Sequence, residues 1–158
     1  MLAQVRALAG VDITHVPYQG GGPQINDALG GQFELLSTNV AAQQLRYIAQ
    51  GSLRALAVGA PTRLAALPGV PTLAELGFAP ANRDSLFGIF APLGAPRHVV
   101  LRINTQVNRV LAGAPMRQRL LQSNNLPAPG SAEDFARQIA LDRQRNAVLV
   151  ARDPRAFD

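Results

Sequence analysis

Residues 15–23 read His-Val-Pro-Tyr-Gln-Gly-Gly-Gly-Pro, and no other stretch of this chain constrains its fold as tightly. A short β-type run, Val11-Asp12-Ile13-Thr14, leads into them, and Gln24 to Leu29 follow, closed by Gly30-Gly31. Three consecutive glycines carry no Cβ, so another group can approach their N–H groups closely. Pro23 suits the first position of a helix, where a missing N–H costs nothing. The local pattern is therefore strand, Gly-rich loop and helix N-terminus. Such a helix start offers unpaired donors and a partial positive charge, which suit a carboxylate or phosphate. A tight turn that merely starts a helix fits the same spacing.

The rest of the chain repeats the alternation. Strands are expected at 12–17, 33–38, 53–59 and 85–91, each short and apolar as in a mostly buried sheet. Helices are expected at 2–9, 23–29 and 41–50, with Gly10, Gly30 and Gly51 as stops. This β-α-β-α-β order argues for a parallel sheet with helices on its faces. Residues 60–72 hold Pro61, Pro68 and Pro71 and read as a long ordered loop before a short helix at 72–76. After residue 92 three helices are expected, at 96–112, 115–123 and 131–151. In the first, Val99, Val100, Ile103, Val107, Val110 and Leu111 recur at helical spacing, with Arg102, Gln106 and Arg109 on another face. The third opens with Ser131 as N-cap and Asp134 three residues on, an imperfect capping box.

Composition narrows the function classes. A chain of 158 residues with 47% hydrophobic and 16% charged residues is globular rather than disordered. No apolar run approaches the ~18 residues of a membrane span. Zero cysteines exclude disulfides and thiolate chemistry. All 15 basic residues are arginine, so a lysine-dependent phosphate loop is excluded. The net charge of +5 lies wholly in residues 97–158, where ten arginines face five acids. A basic face can bind nucleic acid, but only Phe135 and Phe157 could stack bases there, and a solvated helical face is expected instead. His15 reads as a core histidine, and His98 is remote from it in sequence. No nucleophile motif, triad or metal cage is evident, so neither an enzyme nor a cofactor is expected.

The motif from His15 to Pro23 resembles the substrate-binding proteins of tripartite tricarboxylate transporters, the Bug family. The resemblance continues through Leu29-Gly30-Gly31-Gln32, Gly51-Ser52-Leu53-Arg54-Ala55-Leu56-Ala57-Val58, Leu67 to Glu75, and Phe87 to Pro96. It implies an α/β fold: one lobe of a type II periplasmic-binding-protein-like structure, with a mostly parallel sheet and flanking helices, followed by C-terminal helices. Residues 1–84 would form the family's second lobe, and 85–158 a crossover strand and helical segment. Family members run about twice this length, and their first-lobe P-F-x-P-G-G loop has no counterpart here. Carried over residue by residue, Tyr18, Gly20, Gly21, Gly22 and Pro23 would bind the ligand, with Thr38 and Asn39 of the second loop. Many members place an acid before that Asn; this chain has Thr38. Capping of the following helix is an alternative role for Thr38 and Asn39. The implied ligand is a small carboxylate, and the implied partner a membrane permease. The implied location is the periplasm, or the cytoplasm if Met1 is a natural start without a leader. The rival expectation is a truncated relative acting as a self-associating structural module. The apolar strand 85–91 and helices 96–123 point to a homo-oligomer in either case.

Overall fold

The computed structural model describes residues 1–152 of the chain. It comprises six α-helices among the described residues: α1 (Leu2–Ala9), α2 (Gly21–Leu29), α3 (Ala42–Ala49), α4 (Arg97–Ala112), α5 (Ala114–Gln122) and α6 (Ala132–Arg152), with a 3-10 turn at Ala79–Ala81. The chain divides into two compact units, Met1–Ser85 with the residues from Leu149 on, and Leu86–Val148. The end of the expected C-terminal segment, Phe157 included, lies outside the described residues.

In the first unit the buried residues are Ile25, Val58, Ala60, Thr72, Leu73 and Ala81. Their frame is a parallel bridge between Val58 and Thr72. The Val58 N–H donates to Pro71 O at 3.0 Å, and the Leu73 N–H donates to Val58 O at 2.9 Å. Asn82 extends this pairing with a side chain in place of a strand: its Nδ2 donates to Ala60 O (2.8 Å) and its Oδ1 accepts the Ala60 N–H (3.2 Å). Backbone polar groups at a buried edge are thereby satisfied.

The expected strands at 12–17, 33–38, 53–59 and 85–91 are non-helical, but among the described residues no ladder joins them beyond that bridge. Away from that bridge, several of their apolar side chains stay in solvent. Val16, Leu35 and Leu56 are 44–55% exposed, and His15, expected in the core, is exposed. The helix expected at 72–76 is a single turn. It opens with a reciprocal capping box: the Thr72 N–H donates to Glu75 Oε2 (2.6 Å) and the Glu75 N–H to Thr72 Oγ1 (3.2 Å). Propagation stops at once, because Gly77 adopts φ +86° and the Phe78 N–H turns back to Leu73 O (2.8 Å). Arg63 Nε grips both Glu75 oxygens, at 2.9 and 3.1 Å, and its NH1 donates to Pro68 O (3.2 Å). That clamp orders the proline-rich loop.

In the second unit α4 and α5 pack together. The inward face of α4 carries Val100, Asn104, Val107, Asn108 and Leu111, all half-buried. Val99, Ile103 and Val110 of the expected apolar stripe are 38–50% exposed. Asn104 and Asn108 explain the offset. Both Nδ2 groups donate to Gly130 O (2.9 and 2.8 Å), and Asn108 Oδ1 accepts the Gly130 N–H (3.0 Å). The polar pair thus holds the chain where α6 begins. Ser131 then caps α6: its Oγ accepts the Asp134 N–H (3.0 Å), and Asp134 Oδ2 accepts the Ser131 N–H (3.1 Å). Aspartate is long enough to close this box despite the usual preference for Glu or Gln.

Two consequences are measurable. The Glu75 carboxyl is held below its ordinary value of 4.5, first by the Thr72 backbone N–H and then by Arg63. A depressed folded pKa stabilises the fold at pH above the unfolded value, and that contribution is lost as pH falls through the folded one. Acid titration of the fold, followed by circular dichroism, should therefore show stability declining below about pH 4.5, and Glu75→Gln should flatten that decline. Gly59 gives a second check. A Cβ there would stand 2.4 Å from Arg83 O, whereas Gly69 has open space. Gly59→Ala should cost about 1–3 kcal/mol by overpacking and lower the melting temperature, with Gly69→Ala close to wild type.

Candidate functional site

The glycine loop becomes a helix start two residues earlier than the proline implies. Gly20 is the N-cap of α2, with φ 101° and ψ 168°, and no side chain caps the helix. An L-residue with a Cβ rarely adopts that φ. Gly21 and Gly22 fill the first two helical positions, and Pro23 occupies the third. All four lie in the first turn, where N–H groups have no intrahelical acceptor. Pro23 has none to offer, so the open donors are those of Gly20, Gly21 and Gly22. Nothing lies within 4 Å of the Cβ position of any of the three glycines. The space on that side of the loop is open, and the positive end of the helix suits an anion.

The second loop lies beside this helix start. Gln24, in the first turns of α2, donates from Nε2 to Ser37 O at 3.1 Å. This bond ties the segment carrying Thr38 and Asn39 to α2. Gln44 Oε1 accepts the Ala41 N–H at 3.3 Å, and its Nε2 lies 3.5 Å from Thr38 Oγ1. A contact of that length is weak. Ser85 Oγ donates to Asn39 Oδ1 at 2.7 Å, so the amide oxygen is engaged as an acceptor, and the Nδ2 group is the side chain's donor. Neither Thr38 nor Asn39 caps α3, whose N-cap is Ala41 with no side-chain bond. The capping alternative for the pair is thereby set aside.

Tyr18 stands differently from the other candidates. Its hydroxyl donates to Asp27 Oδ2 at 2.7 Å, and its ring lies tilted against Phe33, with centroids 5.7 Å apart. The bond to Asp27 is the first cause of a phenol pKa raised above 10.0. Gln24, Asp27 and Ser85 were absent from the expected site. Their partners lie 9 to 46 residues away in sequence, and no local motif marks such pairs. Elsewhere, a shallow groove on α6 lined by Ala136, Ile139, Ala140, Arg143, Gln144 and Ala147 is one face of a single helix. Among the described residues no cluster of three His, Cys, Asp or Glu could hold a metal.

Comparison with known proteins decides the family. The model of the tripartite tricarboxylate transporter family receptor matches residues 2–153. The chain belongs to that family. It is 33% identical over 149 residues to a UPF0065 protein encoded in the tcbD–tcbE intergenic region of Pseudomonas sp. (strain P51), covering 94% of this chain and 44% of that protein. It is 31% identical to protein BugT of Bordetella pertussis (strain Tohama I), covering 89% of this chain and 43% of that protein. The chain thus spans less than half the length of these two relatives.

Among solved structures, one described as a periplasmic transporter superposes with a TM-score of 0.80 at 34% identity, covering 94% of this chain and 49% of that one. R. palustris Rpa4515, solved with adipate, superposes at 0.83 and 30% identity, covering 95% and 50%. The fold class is therefore the one implied by the resemblance, a type II periplasmic-binding-protein-like α/β structure with following helices. Its sheet pairing is seen among the described residues only at Val58–Thr72. The family is one of periplasmic substrate-binding receptors rather than enzymes. No helix among the described residues is long and apolar enough to cross a membrane.

Neighbouring glycines should respond differently to substitution. Gly20→Ala should lose about 1–3 kcal/mol of stability through strain at positive φ. Gly22→Ala, in open space inside α2, should be neutral or gain about 0.5–1 kcal/mol. Chemical denaturation of the two variants measures the difference.

Proposed function

We propose that this chain binds a small carboxylate and presents it to the membrane permease of a tripartite tricarboxylate-type transporter, at the periplasmic face. The observation that carries the reading is the uncapped glycine start of α2, with Gly20, Gly21 and Gly22 offering open N–H groups. Pro23 shapes that turn without competing for the anion. Thr38 and Asn39, drawn alongside by Gln24, supply a hydroxyl and an amide donor. A relative solved with adipate supports the ligand class. Binding needs only neutral donors, so the solute leaves chemically unchanged.

These glycines, Thr38 and Asn39 are all exposed. A ligand held on so open a surface stays wet, and its electrostatic contacts remain weak. Titration calorimetry of the 158-residue chain with succinate or citrate should accordingly give dissociation constants well above micromolar, weakened further by Asn39→Ala. A sub-micromolar constant would contradict the open-site account.

A second reading concerns assembly. Phe87, Ile89 and Phe90 are 71–74% exposed, and Leu93 is fully so. Phe90 packs on Phe135, with ring centroids 5.6 Å apart, and no residue of the second unit is buried among those described. Such apolar exposure favours self-association through the region after residue 84, with or without transport activity. Light scattering coupled to size exclusion should report a dimer or larger species at micromolar concentration. A clean monomer mass would refute the assembly.

A further inference from the structure

We propose that residues 86–91 pair antiparallel with the same segment of a second copy of this chain, with Gly88 on the two-fold axis; this rests on the self-association reading above and names its element and register. Among the described residues, no backbone hydrogen bond is made by residues 86–91. The segment is nonetheless fixed on one side, within the second unit. A Cβ on Gly88 would run into the Phe135 ring, and Phe90 packs on the same ring. Gly88 and Phe90 are two residues apart, the spacing of one face of an extended strand. Phe87 and Ile89 fall on the other face, and both are largely exposed. An apolar strand edge without partners is a template for another strand.

The sequence of the segment points to its own copy as the occupant. Leu86-Phe87-Gly88-Ile89-Phe90 places apolar residues evenly on both sides of Gly88. Antiparallel pairing about that residue sets Phe87 opposite Ile89 of the second copy, and Leu86 opposite its Phe90. Each pair occurs twice by symmetry. An aromatic ring directly opposite a β-branched side chain is a stabilising cross-strand pair. No charged residue lies between Ser85 and Pro96, so two copies meet there without like charges. The area is also adequate. A phenylalanine can bury about 150–250 Å². Phe87 and Phe90, with Ile89 and the fully exposed Leu93, thus offer roughly 500 Å² per copy, and two copies reach the ~1,000 Å² of a specific interface.

The chain has no cysteine, so introduced thiols report a single contact. Full-length chains carrying Phe87→Cys and Ile89→Cys, co-expressed and mildly oxidised, test the register. In the proposed pairing their Cβ atoms lie about 4.5–5.5 Å apart, near disulfide reach, whereas position 87 meets position 87 of the second copy only diagonally, at roughly 7–8 Å. The mixture should give a covalent dimer on a non-reducing gel, and either variant alone at most a trace. Circular dichroism checks that both exposed positions tolerate the change, and light scattering of the reduced mixture should report a dimer. A dimer mass with no cross-link in the mixture, or with equal cross-linking in each variant alone, overturns the strand pairing and leaves self-association in place. A clean monomer mass for the unaltered chain overturns both. So does a complex with a different polypeptide, such as the part of the relatives that this chain does not match.

Discussion

The left-handed backbone of Gly20 is the constraint from which the first unit's proposed site follows. At φ 101° the chain turns sharply enough to enter α2 immediately, so the helix begins at Gly21. Three donors then point out of an uncapped helix end, and the residue after them, Pro23, has no N–H to add. Had a serine or aspartate stood at position 20, its side chain would have filled that end, as N-caps do. Glycine does the opposite. It permits the turn and leaves the donors open.

Side-chain amides do much of the remaining organisation. Gln24 joins α2 to Ser37, Asn82 completes the pairing at Ala60, and Asn104 with Asn108 secures Gly130 at the start of α6. Each amide offers a donor and an acceptor at once, so it can stand in for a missing strand or turn partner. This matters where the described extended segments share little ladder. Four hydrogen bonds of the first unit join residues 58–60 to 71–73 and 82. The buried residues Val58, Ala60, Thr72, Leu73 and Ala81 gather at the same place.

Local signals in the sequence located the helices well. Gly10 ends α1 in a left-handed conformation, and Ser131 with Asp134 starts α6 through the bonds their spacing implied. The start of α2 was misplaced because Pro23 is acceptable anywhere in a first turn, and only the φ of Gly20 distinguishes the registers. The turn at 72–77 carries a genuine capping box, yet a glycine two residues beyond Glu75 leaves no room to propagate. The apolar runs at 12–17 and 85–91 have strand composition, but composition does not supply partners. Among the residues of the proposed site, the glycines and Asn39 were legible from the motif. Asp27, Gln24 and Ser85 were not, since each acts across a gap in sequence that periodicity cannot bridge.

The central claim is that the glycine N–H groups at the start of α2 are the anion's principal donors. Backbone amide shifts of the 15N-labelled chain, followed during a succinate titration, test it most directly. The account predicts downfield movement of the Gly20, Gly21 and Gly22 amide protons, with Asn39 side-chain signals shifting alongside. Shifts confined to the arginine-rich helices after residue 97, with the three glycines unmoved, would contradict it.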